Sequence, residues 1–254
     1  MGQLDGKVAV ITGATSGIGE AMARRFAAEG AALVVNGRRA ERGEALAAEL
    51  RDGGTDVEVV TGDAADAATA TAIAERARAA YGRIDVLALN AGVITYASLW
   101  EIEEDDVDAM LSVNLKSPWL VAKACHHLVR DGGSVIVTAS VSSFDVYPGE
   151  GIYGMTKAGV LHLAKAMAQE LAPRRIRVNA LCPGFVGEAG MAHDVISASD
   201  DPEALTREYL AVTPLGRACT LREVTDSALF LAGDASTFMT GTSLVLDGGL
   251  LVRP

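Results

Sequence analysis

Cysteine is scarce in this chain: Cys125, Cys182 and Cys219 are scattered and odd in number. They make neither a disulfide framework nor a Cys-x-x-Cys unit, which points to a reducing compartment. A basic excess is also missing. The formal net charge is −11, which argues against nucleic acid as a partner and against docking on an anionic membrane face. No apolar run is long enough to span a bilayer, and no basic-then-apolar signal precedes the first strand-like segment. The expectation is a cytoplasmic protein with no membrane partner. A metal site is not expected either, because the adjacent His126 and His127 point to different sides of a helix. The acidic stretch over 101–108 reads as a helix N-terminus, where carboxylates suit the helix dipole.

Hydrophobic residues make up 50% of the 254 and charged residues 22%, which fits a folded chain and excludes a disordered one. Short β-branched runs predict strands over 8–11, 33–35, 57–60, 86–89, 135–137, 178–181 and 244–246. Helices are predicted over 17–29, 40–50, 66–80, 105–113, 118–129, 152–171 and 222–231. Strands alternating with amphipathic helices give an α/β fold: a Rossmann-type doubly wound parallel sheet of about seven strands with helices on both faces. No repeat, low-complexity tract or linker divides the chain. Residues 1–254 therefore read as a single domain. The segment 187–214 is the least regular and reads as a substrate lid or binding loop.

The first strand runs through Gly13, Thr15, Ser16, Gly17, Ile18 and Gly19 into a helix. Glycines there allow a tight turn and close backbone approach to a pyrophosphate at the helix N-terminus. The spacing is Gly-x-x-x-Gly-x-Gly rather than Gly-x-Gly-x-x-Gly. An NAD site usually ends its second strand in an acid that accepts from the ribose 2′-hydroxyl. Here that place holds Asn36-Gly37-Arg38-Arg39. Arg38 and Arg39 can hold a 2′-phosphate by charge-assisted bonds, so NADP is the expected cofactor, with NAD as the alternative. The bland reading is that both arginines decorate a helix end.

Tyr153 and Lys157 lie four apart and share one helix face. A free phenol has a pKa of about 10, and a neighbouring cation lowers it towards working pH. On its own the pair is more often a solvated helix face. Ser140 closes an apolar run upstream, and without further context it would simply end a strand.

With the glycine loop, Asn90-Ala91-Gly92, Asn114, Ser140, Tyr153-x-x-x-Lys157 and Pro183-Gly184 in order, the chain resembles the short-chain dehydrogenase/reductase family along essentially its whole length. Its single-domain length is similar to the subgroup of 3-oxoacyl-carrier-protein reductases and glucose dehydrogenases. The resemblance implies that Tyr153 is the general acid/base, that Lys157 lowers its pKa and bonds the nicotinamide ribose, and that Ser140 polarises the substrate carbonyl. Asn114 would stabilise a water linking Lys157 to solvent. Asp63 would contact adenine, and Asn90, Ala91 and Gly92 would line the cofactor. Pro183, Gly184 and the main chain at Val186 would flank the nicotinamide.

The family commonly has threonine where this chain has Glu188. Either Glu188 turns away or it meets the substrate. Cys182 reads as a small buried residue. Trp100, Trp119, Phe144 and Tyr147 could pack in the core or shape a pocket, with Phe144 and Tyr147 favoured for the pocket because they follow Ser140. The implied activity is hydride transfer between NADP(H) and a small-molecule ketone or secondary alcohol, as a carbonyl reductase. The alternatives are an NAD-dependent secondary-alcohol or sugar dehydrogenase and a non-catalytic nucleotide-binding sensor. Assembly as a homotetramer is implied, through 118–129, 152–171 and 244–246, with a dimer as the alternative.

Overall fold

In the computed structural model, which describes residues 2–188, 191–197 and 199–252, seven parallel strands form one sheet in the order 3-2-1-4-5-6-7. They are β1 (Val8–Ile11), β2 (Ala32–Gly37), β3 (Val57–Thr61), β4 (Ile84–Leu89), β5 (Val129–Thr138), β6 (Arg177–Pro183) and β7 (Ser243–Leu246). The helices are α1 (Gly17–Ala28), α2 (Ala40–Asp52), α3 (Ala67–Tyr81), α4 (Glu104–Met110), α5 (Ser117–Cys125), α6 (Gly151–Leu171), α7 (Met191–Ser197), α8 (Pro202–Ala211) and α9 (Leu221–Ala232).

The strands are apolar on both faces because both faces are covered. Val10, Leu87, Val135 and Val137 pack with Ile73, Val121 and Val160 from α3, α5 and α6. Their strand neighbours Ala9, Ile11, Val86 and Ile136 pack the other way, with Met22, Phe26, Leu46 and Val224 from α1, α2 and α9. This is the two-residue period of a strand. Strand order reverses between β1 and β4, so a crevice opens beyond their carboxyl ends.

Three predicted elements differ. The helix expected over 118–129 ends at Cys125, and Val129 instead begins β5, opposite Ile84. The register then shifts before Val86 meets Ser134. Gly132, at φ 80°, allows the intervening residues to loop out. The helices expected separately over 105–113 and 118–129 form one rod in which residues Leu111–Lys116 make a π-helical segment joining α4 to α5. Pro118 contributes to this, since it has no N–H to give the carbonyl of Asn114 four residues back.

The segment 187–214 is not irregular throughout, as it contains α7 and α8. Asp201 caps α8 by accepting from the amide of Ala204 at 2.9 Å, and Pro202 occupies the first turn. Residues 189, 190 and 198 of that segment lie outside the described residues.

Candidate active site

The crevice at the carboxyl edge of the sheet is a cavity of about 1230 Å³. One end is built by the turn after β1. Gly13 and Gly17 sit at φ 65° and 55°, which glycine adopts without a Cβ penalty. A Cβ at Gly13 would meet the Ala91 backbone at 2.8 Å. Ser16 precedes α1 without capping it by its side chain, so the first-turn amides of α1 face the cavity uncapped. Gly13, Thr15, Ser16, Gly17 and Ile18 all line the cavity, while Gly19 lies behind them, where a Cβ would collide with the Gly13 carbonyl.

Asn90 ties this turn to the sheet. Its side-chain amide donates to the carbonyl of Thr12 at 3.2 Å, and its Oδ1 accepts from Thr138 at 3.1 Å. Thr12 Oγ1 in turn accepts from the amides of Asn90 and Ala91 at 3.0 and 3.1 Å. Thr12 is a part of this clasp that the sequence did not single out.

Arg38 and Arg39 follow β2 and line the cavity together with Arg42, which lies one helical turn further on. Arg39 also donates to the carbonyl of Thr15 at 3.3 Å. Arg42 was missed, although its spacing from Arg38 and Arg39 at the start of α2 was the signal. Gly37 is close-packed: a Cβ there would lie 2.4 Å from Cγ2 of Thr15. Asp63 lines the same end and accepts from the amide of Ala65 at 2.9 Å. Three guanidiniums, uncapped helix amides and backbone approach make a donor set suited to a phosphorylated dinucleotide.

At the other end lie Ser140, just after β5, and Tyr153 and Lys157 of α6. Lys157 is 2% exposed, and its Nζ donates to the carbonyl of Thr138 at 2.9 Å. Burial lowers its pKa to about 8. Tyr153 is buried, and that burial raises its phenol above the ordinary range. A hydrogen bond with Ser140 acts in the opposite direction, and the charge of Glu150 adds to the rise. The downward pull on Tyr153 expected from Lys157 is thus supplied by Ser140 and is outweighed by burial.

Asn114 sits in the π-helical segment, where its side chain accepts from Val93 at 2.8 Å and donates to Val93 and Thr156 at 2.9 and 3.0 Å. A Cβ at Gly92 would stand 3.4 Å from both Asn114 Oδ1 and Lys157 Nζ, so this glycine leaves the space on which the two side chains converge.

Pro183 ends β6, Gly184 and Val186 follow it, and all three line the cavity. Glu188 accepts from the amide of Leu221 at 2.8 Å, so its carboxylate serves the start of α9. Tyr147 lines the cavity, but Phe144 is 48% exposed and does not, because the turn at 141–143 carries it outward. Trp100 is exposed, and Cys182 is buried in β6. Glu150, Tyr96, Ser142 and Tyr209 also line the cavity, and the sequence reading missed them. They come from four separate segments, and only Glu150, three residues before Tyr153, carried a local signal. Among the described residues no group of three or more His, Cys, Asp or Glu side chains could hold a metal ion, and no helix is long and apolar enough to cross a membrane.

A family model described as enoyl-(acyl carrier protein) reductase matches residues 13–251. Oxidoreductase UcpA of Escherichia coli (strain K12) is 41% identical over 254 residues, covering 98% of this chain and 96% of that protein. The 3-oxoacyl-[acyl-carrier-protein] reductase FabG of Thermotoga maritima is 37% identical over 252 residues, covering 98% of this chain and 100% of that one. A gluconate 5-dehydrogenase from Burkholderia cenocepacia, solved in complex with NADP and tartrate, superimposes with a TM-score of 0.91 at 35% identity, covering 99% of this chain and 97% of that one.

Proposed function

The chain belongs to the short-chain dehydrogenase/reductase family and is an NAD(P)-dependent oxidoreductase; from that premise we propose that it is an NADP-dependent carbonyl reductase, turning a ketone into a secondary alcohol. The carrying observation is the buried Tyr153 phenol, hydrogen-bonded to Ser140 with Lys157 on the same helix face. A phenol whose pKa is raised by burial keeps its proton at neutral pH, which suits a proton donor to a carbonyl oxygen.

When bound, the nicotinamide cofactor supplies the hydride. The chain orients the reactants and manages the proton. Ser140 holds the carbonyl oxygen within reach of Tyr153, and Tyr153 gives that oxygen its proton. Lys157, with Nζ anchored on Thr138, presents its charge beneath the phenol. The side chain of Asn114 is committed to Val93 and Thr156, so the water assigned to this residue falls to its main-chain carbonyl, to which Pro118 cannot donate.

NADP over NAD is supported by Arg38, Arg39 and Arg42 on the cavity wall, and by Gly37 standing where an acid would be needed. It is also supported by NADP in the structure of the Burkholderia cenocepacia relative. Asp63 would meet the adenine, and Pro183, Gly184 and Val186 the nicotinamide. Residues 1–254 would act as one domain, with α7 and α8 as its substrate lid; Tyr209 of α8 stacks on Phe185 at 4.8 Å and lines the cavity. A homotetramer is supported by half-exposed apolar side chains on α5, α6 and β7, namely Trp119, Met155 and Val245. A fluorescence titration tests the cofactor reading: tighter binding of NADPH than NADH supports it, and equal binding removes the three arginines from that role.

A further inference from the structure

Ser140 is tied to a carboxylate through a second serine. Ser140 Oγ and Ser142 Oγ lie 3.1 Å apart, and Ser142 Oγ donates to Glu150 Oε2 at 2.6 Å. The amide of Ser142 also donates to Ser140 Oγ at 3.2 Å. From the far side Tyr96 hydrogen-bonds Glu150, and Tyr209 hydrogen-bonds Tyr96. These groups come from the segments after β4 and β5, from α8 and from the start of α6. They face Glu150 together with Tyr153 one turn along α6, and none of them is a cation. Among the described residues, neither desolvation nor hydrogen bonding at Glu150 is accompanied by an ion pair.

Each hydroxyl has one proton, and an ionised carboxylate only accepts. With Glu150 ionised, Ser142 must give its proton to Glu150, so its bond with Ser140 can form only if Ser140 gives its proton to Ser142. Ser140 then presents lone pairs, not a proton, to Tyr153 and to anything beside it. With Glu150 protonated the order can reverse. Glu150 donates to Ser142, Ser142 donates to Ser140, and the Ser140 proton is free for the reacting oxygen.

We propose that Glu150 is a positioning residue that sets, through Ser142, the direction in which Ser140 donates its proton, so that ionisation of Glu150 withdraws that proton from the substrate carbonyl. This rests on the reading of Ser140 as the group that polarises the carbonyl. Burial holds the Glu150 carboxyl above its ordinary pKa, which separates its titration from those of exposed acids.

The experiment is the pH dependence of kcat/KM for carbonyl reduction by the intact enzyme, Glu150→Gln and Ser142→Ala, each checked for an unchanged melting temperature. The wild type is expected to lose about tenfold through a step above the usual carboxylate range, as befits one hydrogen bond at the reacting oxygen. Both variants are expected to lack that step, and Ser142→Ala to stay at the acid plateau. A wild-type profile without the step, or the same step in either variant, overturns the proposal. Neutron diffraction on deuterated crystals at two pD values reads the chain without turnover. The Ser140 deuteron should point to Ser142 at high pD and away from it at low pD; one orientation at both overturns the relay. If no carbonyl is reduced, the functional reading fails, and the neutron maps alone decide the relay.

Discussion

Lys157 Nζ lies 5.6 Å from the ring centroid of Tyr153, and both side chains are buried. The chain thus holds an ammonium and a phenol together in a place that is costly for the charged form of either. Burial moves them in opposite senses, Lys157 down to about 8 and Tyr153 upward. The neutral phenol beside a cation is the state a proton donor requires.

The lysine makes stability and activity separable. Its pKa is lower folded than unfolded, so between about 8 and 10.5 the unfolded chain binds more protons and stability rises with pH. Below that window the buried charge costs a constant amount, of order 3 kcal/mol at ~1.36 kcal/mol per unit. Lys157→Met is expected to raise the melting temperature at pH 7 and to flatten the rise of stability over that window, while turnover is lost. Calorimetry at pH 7 and pH 10 checks this.

The arginine wall is expected to discriminate between cofactors. Arg38→Ala, Arg39→Ala and Arg42→Ala should each weaken NADPH binding by about 10- to 100-fold, the loss of one charge-assisted bond, and leave NADH within a few-fold. Gly37→Asp should not convert the enzyme to NADH, because its Cβ would lie 2.4 Å from Thr15 Cγ2. The paired change with Thr15→Gly relieves that clash. Titration of both cofactors against the four variants and the pair measures these effects.

Glu188 serves a helix start. Its bond to the Leu221 amide sits beside the capping box formed by Thr220 and Glu223. Glu188→Ala is expected to lower stability by about 1 kcal/mol, a typical value for a cap. Its kcat should stay within about threefold of the wild type, a barrier change below about 0.7 kcal/mol. Denaturant unfolding and steady-state kinetics on the same preparation separate the two effects.

Asn114 anchors the π-helical segment through three side-chain hydrogen bonds. Asn114→Ala leaves the Val93 amide and carbonyl unpartnered by it, with an expected loss of about 1–3 kcal/mol. Asn114→Asp keeps the acceptor and loses the donor, so it should fall between the alanine variant and the wild type. Thermal unfolding of the three proteins orders them.

Much of this was legible in the sequence for a physical reason. Strands buried on both faces read as short apolar runs, the glycine loop follows from local backbone needs and the Tyr153–Lys157 pair from helical spacing, whereas Ser140 stood out only through the family resemblance. Capping chemistry was legible too but was read past: Asp201-Pro202 announces α8, yet the residues before it read as loop. The π-helical segment around Asn114 was hidden because Pro118, which contributes to it, looks like an ordinary helix start. Arg42 and Glu150 stood one turn from residues already singled out. Tyr96 and Tyr209 could not be found this way, since only tertiary packing brings them to Glu150.

The central claim is that Tyr153 is the proton donor of a carbonyl reductase, and Tyr153→Phe tests it most directly. NADPH oxidation should be followed against a panel of ketones, with NADPH affinity measured on the same variant. The account predicts that kcat falls by about 100- to 10,000-fold, the usual contribution of a general acid, while NADPH affinity stays within a few-fold. A Tyr153→Phe enzyme that reduces the same ketones at the wild-type rate contradicts it.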